Sequence, residues 1–233
     1  MLASRKARKE ARARFARDGR KLATRQALMD AALDLLEGEQ TFASVSLREI
    51  TRRAGVVPAA FYRHFKSVDE LGLALVDEAM GTLRRMIREA RETPLPPESI
   101  IRRSVETLVR HVHGNHKHFR FIAREIYGGV SVVRERIRRE IQSFANELAL
   151  DLGRLPWLNK WTAEDLQMIA GLMVNAMVSI AQAIIDASPD NPHAEAHAIR
   201  TAEKQLMLIS LGVPQWKPNR ATAAPGEAKR SPA

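Results

Sequence analysis

Residues Ser44 to Lys66, SVSLREITRRAGVVPAAFYRHFK, decide the fold. Ser46 and Glu49 stand three apart as a capping-box pair, and Leu47 and Ile50 give the helix they open an inward face. Gly55 sits where a left-handed residue closes a helix, so this first helix ends near Ala54. Pro58 fits the first turn of a second helix, where its missing N–H costs nothing, and Phe61 and Phe65 lie four apart as anchors to a core. Two short helices across a glycine turn make a helix-turn-helix. The second keeps Ala59, Ala60, Tyr62 and Arg63 outward, with His64 and Lys66 at its end. Small residues followed by donors suit a major groove bordered by phosphates.

Roles on that surface follow from side-chain chemistry. Tyr62, His64 and Lys66 are placed on phosphates, and Ser46 offers its helix N-terminus to the DNA backbone. Arg63 is the first candidate for reading a guanine edge and Arg48 the second, although either could hold phosphate alone. Ala59 and Ala60, following Pro58, either touch a thymine methyl or simply avoid collision. Tyr62 has a second reading, packing on the next helix.

Gly55 to Lys66, followed by Ser67-Val68-Asp69-Glu70-Leu71, resembles the signature of the TetR family of transcriptional regulators, in which an aromatic pair, His and Phe close the recognition helix. The segments TFASVSLRE, FYRHF and DELGLALVDE are similar to the subgroup typified by FabR and DesT, repressors of unsaturated fatty acid synthesis. That likeness continues more weakly through Phe119 to Glu125 and Arg138 to Leu148. The resemblance implies a homodimer paired through its last two helices and an operator of inverted-repeat double-stranded DNA. It also implies a long-chain acyl thioester ligand, acyl-CoA or acyl carrier protein, with the chain in an apolar tunnel. The subgroup carries hydroxyl-bearing residues near positions 59 and 60, so the two alanines here leave the operator sequence open.

The composition agrees with a DNA-binding head on a neutral body. The 233 residues are 45% hydrophobic, enough for a real core, and the formal net charge is +10. Residues 1 to 66 hold 15 Lys or Arg against 7 Asp or Glu, whereas residues 67 to 233 hold 22 against 20. There is no cysteine, which excludes disulfides and thiolate metal sites and suits a reducing cytoplasm. The charged N-terminus lacks the apolar run of a secretory signal.

Four parts are expected. Residues 1 to 21, with nine Lys or Arg, read as a basic arm, mobile or a solvated helix. Residues 22 to 66 form a three-helix head, in which Leu28, Ala31, Ala32, Leu35 and Leu36 recur at helical spacing and Phe42 belongs to the core. Residues 67 to 214 form a helical ligand-binding and dimerisation body, and 215 to 233 a disordered tail. Ser67 and Glu70 repeat the capping box and open a helix to about Arg91, roughly 35 Å long at ~1.5 Å per residue, which links head to body. Pro94 to Pro97 end it, further helices follow over Ile100 to Val112, His118 to Tyr127 and Val130 to Leu152, and Ser188-Pro189 stops the apolar helix before the last one. No stretch alternates as a strand does, so the fold is all-α.

Leu166 to Ile185 carries no charge over twenty residues, long enough for a membrane span. Asn175, Ser179 and Gln182 form a polar stripe along it, and Asp165 and Asp186 flank it, so a helix buried against a partner subunit explains it better than lipid. His111, His113, His116 and His118 cluster in sequence, but without interleaved carboxylates or a shared face they predict a solvated helix end, not a metal site. No nucleophile with its base and no phosphate loop is apparent, and no cofactor is expected. For the ligand implied by the resemblance, Phe119, Phe121, Met168, Leu172, Met173, Met177 and Ile180 could line a flexible slot, each also readable as core. Arg120, Arg124 and Asn175 could engage the thioester or phosphate end, while Arg124 could equally form an ion pair with Glu125 or Glu140. Two other functions fit the same chain: an efflux-pump regulator answering to hydrophobic drugs, and a helical lipid carrier or lipid-metabolising enzyme whose basic head meets acidic membranes.

Overall fold

The computed structural model describes residues 2–38, 40–91, 97–156, 158–187 and 192–216. It contains helices α1 (Leu2–Leu35), α2 (Leu47–Arg53), α3 (Pro58–Phe61), α4 (Val68–Arg91), α5 (Pro97–Gly114), α6 (His116–Glu125), α7 (Ser131–Gly153), α8 (Ala163–Asp186) and α9 (Pro192–Gly212). Short 3-10 turns occupy Phe42–Ser44 and Val213–Gln215, and the described residues include no strand.

The local signals around the helix-turn-helix operate as chemistry requires. Ser46 Oγ accepts the Glu49 N–H at 3.3 Å and Glu49 Oε2 accepts the Ser46 N–H at 2.9 Å, so both arms of the capping box are closed. Gly55 has φ 68°, a conformation that costs glycine little and a side chain more. Pro58 opens α3, which is shorter than a helix running on to Lys66. The Arg63 and His64 N–H groups bond the Ala60 and Phe61 carbonyls three residues back, which tightens the end of α3 into a turn. Glu70 Oε2 then accepts the Lys66 N–H at 2.6 Å, while the Glu70 N–H donates to Ser67 Oγ at 3.2 Å.

Basic residues 1 to 21 are not set apart from the head: α1 runs unbroken from Leu2 to Leu35. At ~1.5 Å per residue its 34 residues extend about 51 Å. Nor does the hydrophobic core divide at residue 66. Leu28 and Ala32 of α1, Ile50, Phe61, Phe65, Leu71 and Leu75 belong to the same buried cluster as Phe121 of α6 and Val133 and Ile137 of α7. A second cluster joins Val105, Leu108 and Val112 of α5 to Ile180 and Ile184 of α8 and Ala202 and Leu206 of α9. A third, smaller one gathers Leu158, Ile169 and Val213.

Helix α8 begins where expected, with Thr162 Oγ1 accepting the Asp165 N–H at 3.1 Å. It is long and apolar enough to cross a membrane, but it packs against α5, α6, α7 and α9. Its exposed stripe, Met168, Leu172, Asn175 and Ser179, carries two polar side chains that lipid would leave unsatisfied. Helix α6 starts at His116, two residues earlier than expected, because only Asn115, at φ −135° and ψ 36°, departs from helical geometry after Gly114. The expected breaks at Pro94 to Pro96 and Ser188-Pro189, and nearly all of the tail from 217 onward, lie outside the described residues; Pro97 opens α5.

Candidate nucleic-acid interface and ligand cleft

The recognition surface depends on burying one pair of rings so that its neighbours face outward. Phe61 is 0% exposed and Phe65 1%, whereas Tyr62 is 63% exposed, its ring edge-on to Phe61 at 5.7 Å. Tyr62 therefore points away from the core, as do Arg48, Pro58, Ala59, Arg63 and Lys66 at exposed positions, with Ala60 half-buried. Arg48 and Arg63 have no ion-pair partner among the described residues. Arg53 differs: both its Nε and Nη2 donate to Asp34 Oδ2, at 3.1 and 3.0 Å, tying α2 to α1. A shallow groove of about 340 Å³ runs along Arg48, Glu49, Thr51, Arg52, Val56 and Pro58. Sequence reading missed Arg25 of α1, whose guanidinium lies 4.3 Å over the Phe65 ring and adds a cation beside the same face.

His64, expected at a phosphate, is half-buried, and its Nδ1 is buried without a hydrogen-bond partner among the described residues. Burial first, then the nearby cations Lys21, Arg25 and Arg63, hold its imidazole below the ordinary value of 6.5. The folded chain thus binds fewer protons at His64 than the unfolded chain does, so this site's effect on stability is a loss as pH falls below about 6.5. Thermal melts between about pH 5 and 8 are expected to drop more steeply on the acid side for the native chain than for His64→Gln.

The body holds a second site. An open cleft of about 360 Å³ lies between α6 and the end of α8, lined by His116, Arg120, Ala123, Arg124, Gln182, Ile185, Asp186 and Ala187. It is not the closed apolar tunnel that the resemblance implied. Arg124 is neither free in it nor paired with Glu125 or Glu140: its Nη1 donates to the Leu36 carbonyl at 3.0 Å and the Gly38 carbonyl at 2.6 Å, just past the end of α1. Arg120 is half-buried and has no hydrogen bond or ion pair among the described residues. Other positions of α6 also grip the head. Lys117 Nζ reaches Asp34 Oδ1 at 2.6 Å, Phe121 meets Phe42 edge-on at 5.6 Å, and the buried Glu125 accepts the Phe42 N–H at 3.1 Å. The Lys117 ammonium beside it, chiefly, holds the Asp34 carboxyl below the usual carboxylate value.

Two matches decide the affiliation. Residues 28–75 match bacterial regulatory proteins of the tetR family, and residues 97–212 match the tetracyclin repressor-like C-terminal domain. The chain belongs to the TetR family. Solved structures of other regulators share its fold. The fatty acid degradation regulator FadR from Bacillus halodurans superposes with a TM-score of 0.63 at 16% identity, over 79% of this chain and 94% of that one. FadR from Bacillus subtilis in complex with stearoyl-CoA gives 0.62 at 16%, over 79% and 96%. SCO4454, a TetR-family transcriptional regulator from Streptomyces coelicolor, gives 0.59 at 21%, over 80% and 96%.

As a TetR-family member the protein is a DNA-binding regulator and not an enzyme. TetR regulators bind operator DNA as dimers and answer to small molecules. Against that background the residues expected at the ligand separate into two groups. Phe119, Met173 and Met177 pack against the second core, to which Ile185 of the α6–α8 cleft also belongs. Met168, Leu172 and Asn175 do not join them; they lie on the outer face of α8, with Met168 41% and Leu172 51% exposed. The four clustered histidines also diverge. His113 lies 3.2 Å from Glu195 and His118 3.4 Å from Glu78, His116 lines the cleft, and His111 accepts the Asn115 side-chain amide through its backbone carbonyl.

Proposed function

We propose that this TetR regulator is a cytoplasmic, dimeric repressor that senses a long-chain fatty acyl thioester and controls genes of unsaturated fatty acid synthesis or desaturation. The observation that carries the ligand assignment is a juxtaposition: two guanidinium groups, Arg120 and Arg124, line a cleft whose Ile185 also packs in the second core with Phe119, Met173 and Met177. One molecule with an anionic head and an apolar tail satisfies both. The FabR- and DesT-like segments of the head and the likeness to a FadR seen with stearoyl-CoA support the same reading.

For DNA, Arg63 and Arg48 read bases from the major groove, with Pro58, Ala59 and Ala60 allowing close approach. Tyr62, His64, Lys66 and the helix end at Ser46 hold the phosphates. The two subunits pair through the outer faces of α8 and α9, which sets two heads on an inverted repeat. Ligand acts by population shift, favouring one head separation over another and so changing operator affinity.

A duplex selected by the protein from a random pool supplies the operator for the test. Stearoyl-CoA and oleoyl-CoA are expected to alter its gel shift, and Arg63→Ala to weaken binding by about 1–3 kcal/mol with relaxed choice at one base position. If hydrophobic drugs change the shift and neither acyl-CoA does, the lipid assignment fails while the DNA assignment stands.

The basic N-terminal part of α1 yields a separate expectation. If residues 1 to 14, with six Lys or Arg, lie along DNA flanking the operator, their removal lowers the slope of log affinity against log salt by up to ~0.9 for each phosphate no longer neutralised. An unchanged slope for the truncated chain would mean that this part of α1 stays clear of the duplex.

A further inference from the structure

We infer that the cleft between α6 and the end of α8 is an anion subsite for the phosphate group of a thioester carrier, and that Arg124 couples its occupancy to the head. The inference rests on the acyl-thioester reading and adds to it a place, a chemistry and a route of transmission.

Three observations converge. Arg120 reaches the cleft half-buried and without any partner among the described residues, an unusual state for a guanidinium that has given up part of its water. Arg124 lines the same cleft, yet among the described residues only its Nη1 is engaged, by the carbonyls of Leu36 and Gly38. A guanidinium has five N–H donors, so donors remain for an oxyanion. Third, the cleft is not uniformly basic. Asp186, held by Gln182 Nε2 at 2.8 Å, stands among the lining residues with the last turn of α8. Two cations with one carboxylate select a ligand that is anionic at one end and carries N–H or O–H donors nearby. The phosphopantetheine arm of CoA or of an acyl carrier protein has that character, its phosphate standing close to a hydroxyl and amides. A thioester-linked chain would then pass Ile185, common to cleft and second core, toward Phe119, Met173 and Met177.

Coupling follows because Arg124 is shared. Phosphate attracts a guanidinium more strongly than a neutral carbonyl does, so filling the cleft changes the hold of Arg124 on the end of α1. That end leads into the Phe42 turn and then α2. Lys117, Phe121 and Glu125 hold the same region from other positions on α6, so a shift there reaches the head directly and not only along α4. By linkage, operator and phosphate must then alter each other's affinity by the same factor.

The test measures binding of CoA, inorganic phosphate and stearoyl-CoA to the full chain at constant ionic strength, with and without the selected operator duplex. Expected for the native chain are CoA binding well above that of inorganic phosphate and a change in operator affinity of about fivefold or more on adding CoA. Arg120→Gln, which breaks no hydrogen bond or ion pair among the described residues, is expected to weaken CoA about tenfold or more. Arg124→Gln is expected to remove the effect of CoA on operator affinity while the duplex still binds. Unchanged CoA affinity in Arg120→Gln, or full coupling in Arg124→Gln, would overturn the inference. Inorganic phosphate binding as tightly as CoA would overturn the carrier and leave a free-anion site. Stearoyl-CoA held equally by native and Arg120→Gln chains would remove this subsite and keep the acyl reading. CoA bound through Arg120 with no gain from the stearoyl chain would keep the subsite and remove the acyl reading.

Discussion

Phe121→Ala is expected to lower the unfolding free energy by about 3–5 kcal/mol, the range for emptying a buried aromatic site. Phe121 is 2% exposed and Phe42, which it meets at an interplanar angle of 72°, is 1% exposed. The space around the pair is already full: a Cβ placed on Gly72 of α4 would come within 2.5 Å of the Phe42 ring. Collapse to fill the lost ring is therefore restricted, which puts the cost toward the upper part of the range. The same substitution loosens the seat of Glu125, whose Oε1 holds the Phe42 N–H and whose Oε2 is buried without a hydrogen-bond partner among the described residues. Urea denaturation measures the change as a shift in midpoint with little change in slope. As a contrast, Arg139→Ala removes an exposed pair with Glu135 at 3.9 Å and should cost less than about 1 kcal/mol. A loss for Phe121→Ala no larger than that of Arg139→Ala would mean that α6 is not held to the head through this ring.

That contrast also marks what could be read from the chain in one dimension. The capping box at Ser46, the left-handed Gly55, the buried Phe61 and Phe65 and the Thr162 cap are all local, each set by residues within a few positions of one another. The contacts that join α6 to the head are not. Lys117 meets Asp34, and Glu125 meets Phe42, across 83 positions in each case, and Arg124 finds Leu36 across 88. Periodicity carries no signal for such pairs. An arginine expected at a ligand was partly a cap for carbonyls left at the end of α1, a role that any exposed-looking Arg can take. Residues 1 to 21 posed another difficulty, since Ala interleaved with Lys and Arg fits a solvated helix as well as an arm. In α8 the apolar residues run nearly all round the helix, so spacing alone could not tell the face beside the cleft from the face turned outward.

On that outer face, Leu172→Glu is expected to split the dimer while leaving the single chain folded. Leu172 is 51% and Met168 41% exposed on α8, and Leu208 and Leu211 of α9 are 72% and 64% exposed. The two helices are fixed side by side at this end, where Trp216 Nε1 donates to the buried Asp165 at 2.9 Å and Val213 packs with Ile169. Four large apolar side chains left in water on adjoining helices are what a paired surface provides before its partner arrives. A carboxylate at Leu172 would be buried there without a counter-ion, a penalty of about 3–5 kcal/mol, so the dimer dissociation constant should rise by about 10² to 10³ or more. In the isolated chain the same carboxylate stays hydrated, and helical circular dichroism should be unchanged. Sedimentation would separate the two states, and the operator shift should fall with the dimer because one head engages only a half-site. Leu208→Glu tests the α9 side independently. Should both variants sediment as dimers, the subunits meet elsewhere and the spacing of the two heads must be set by another surface.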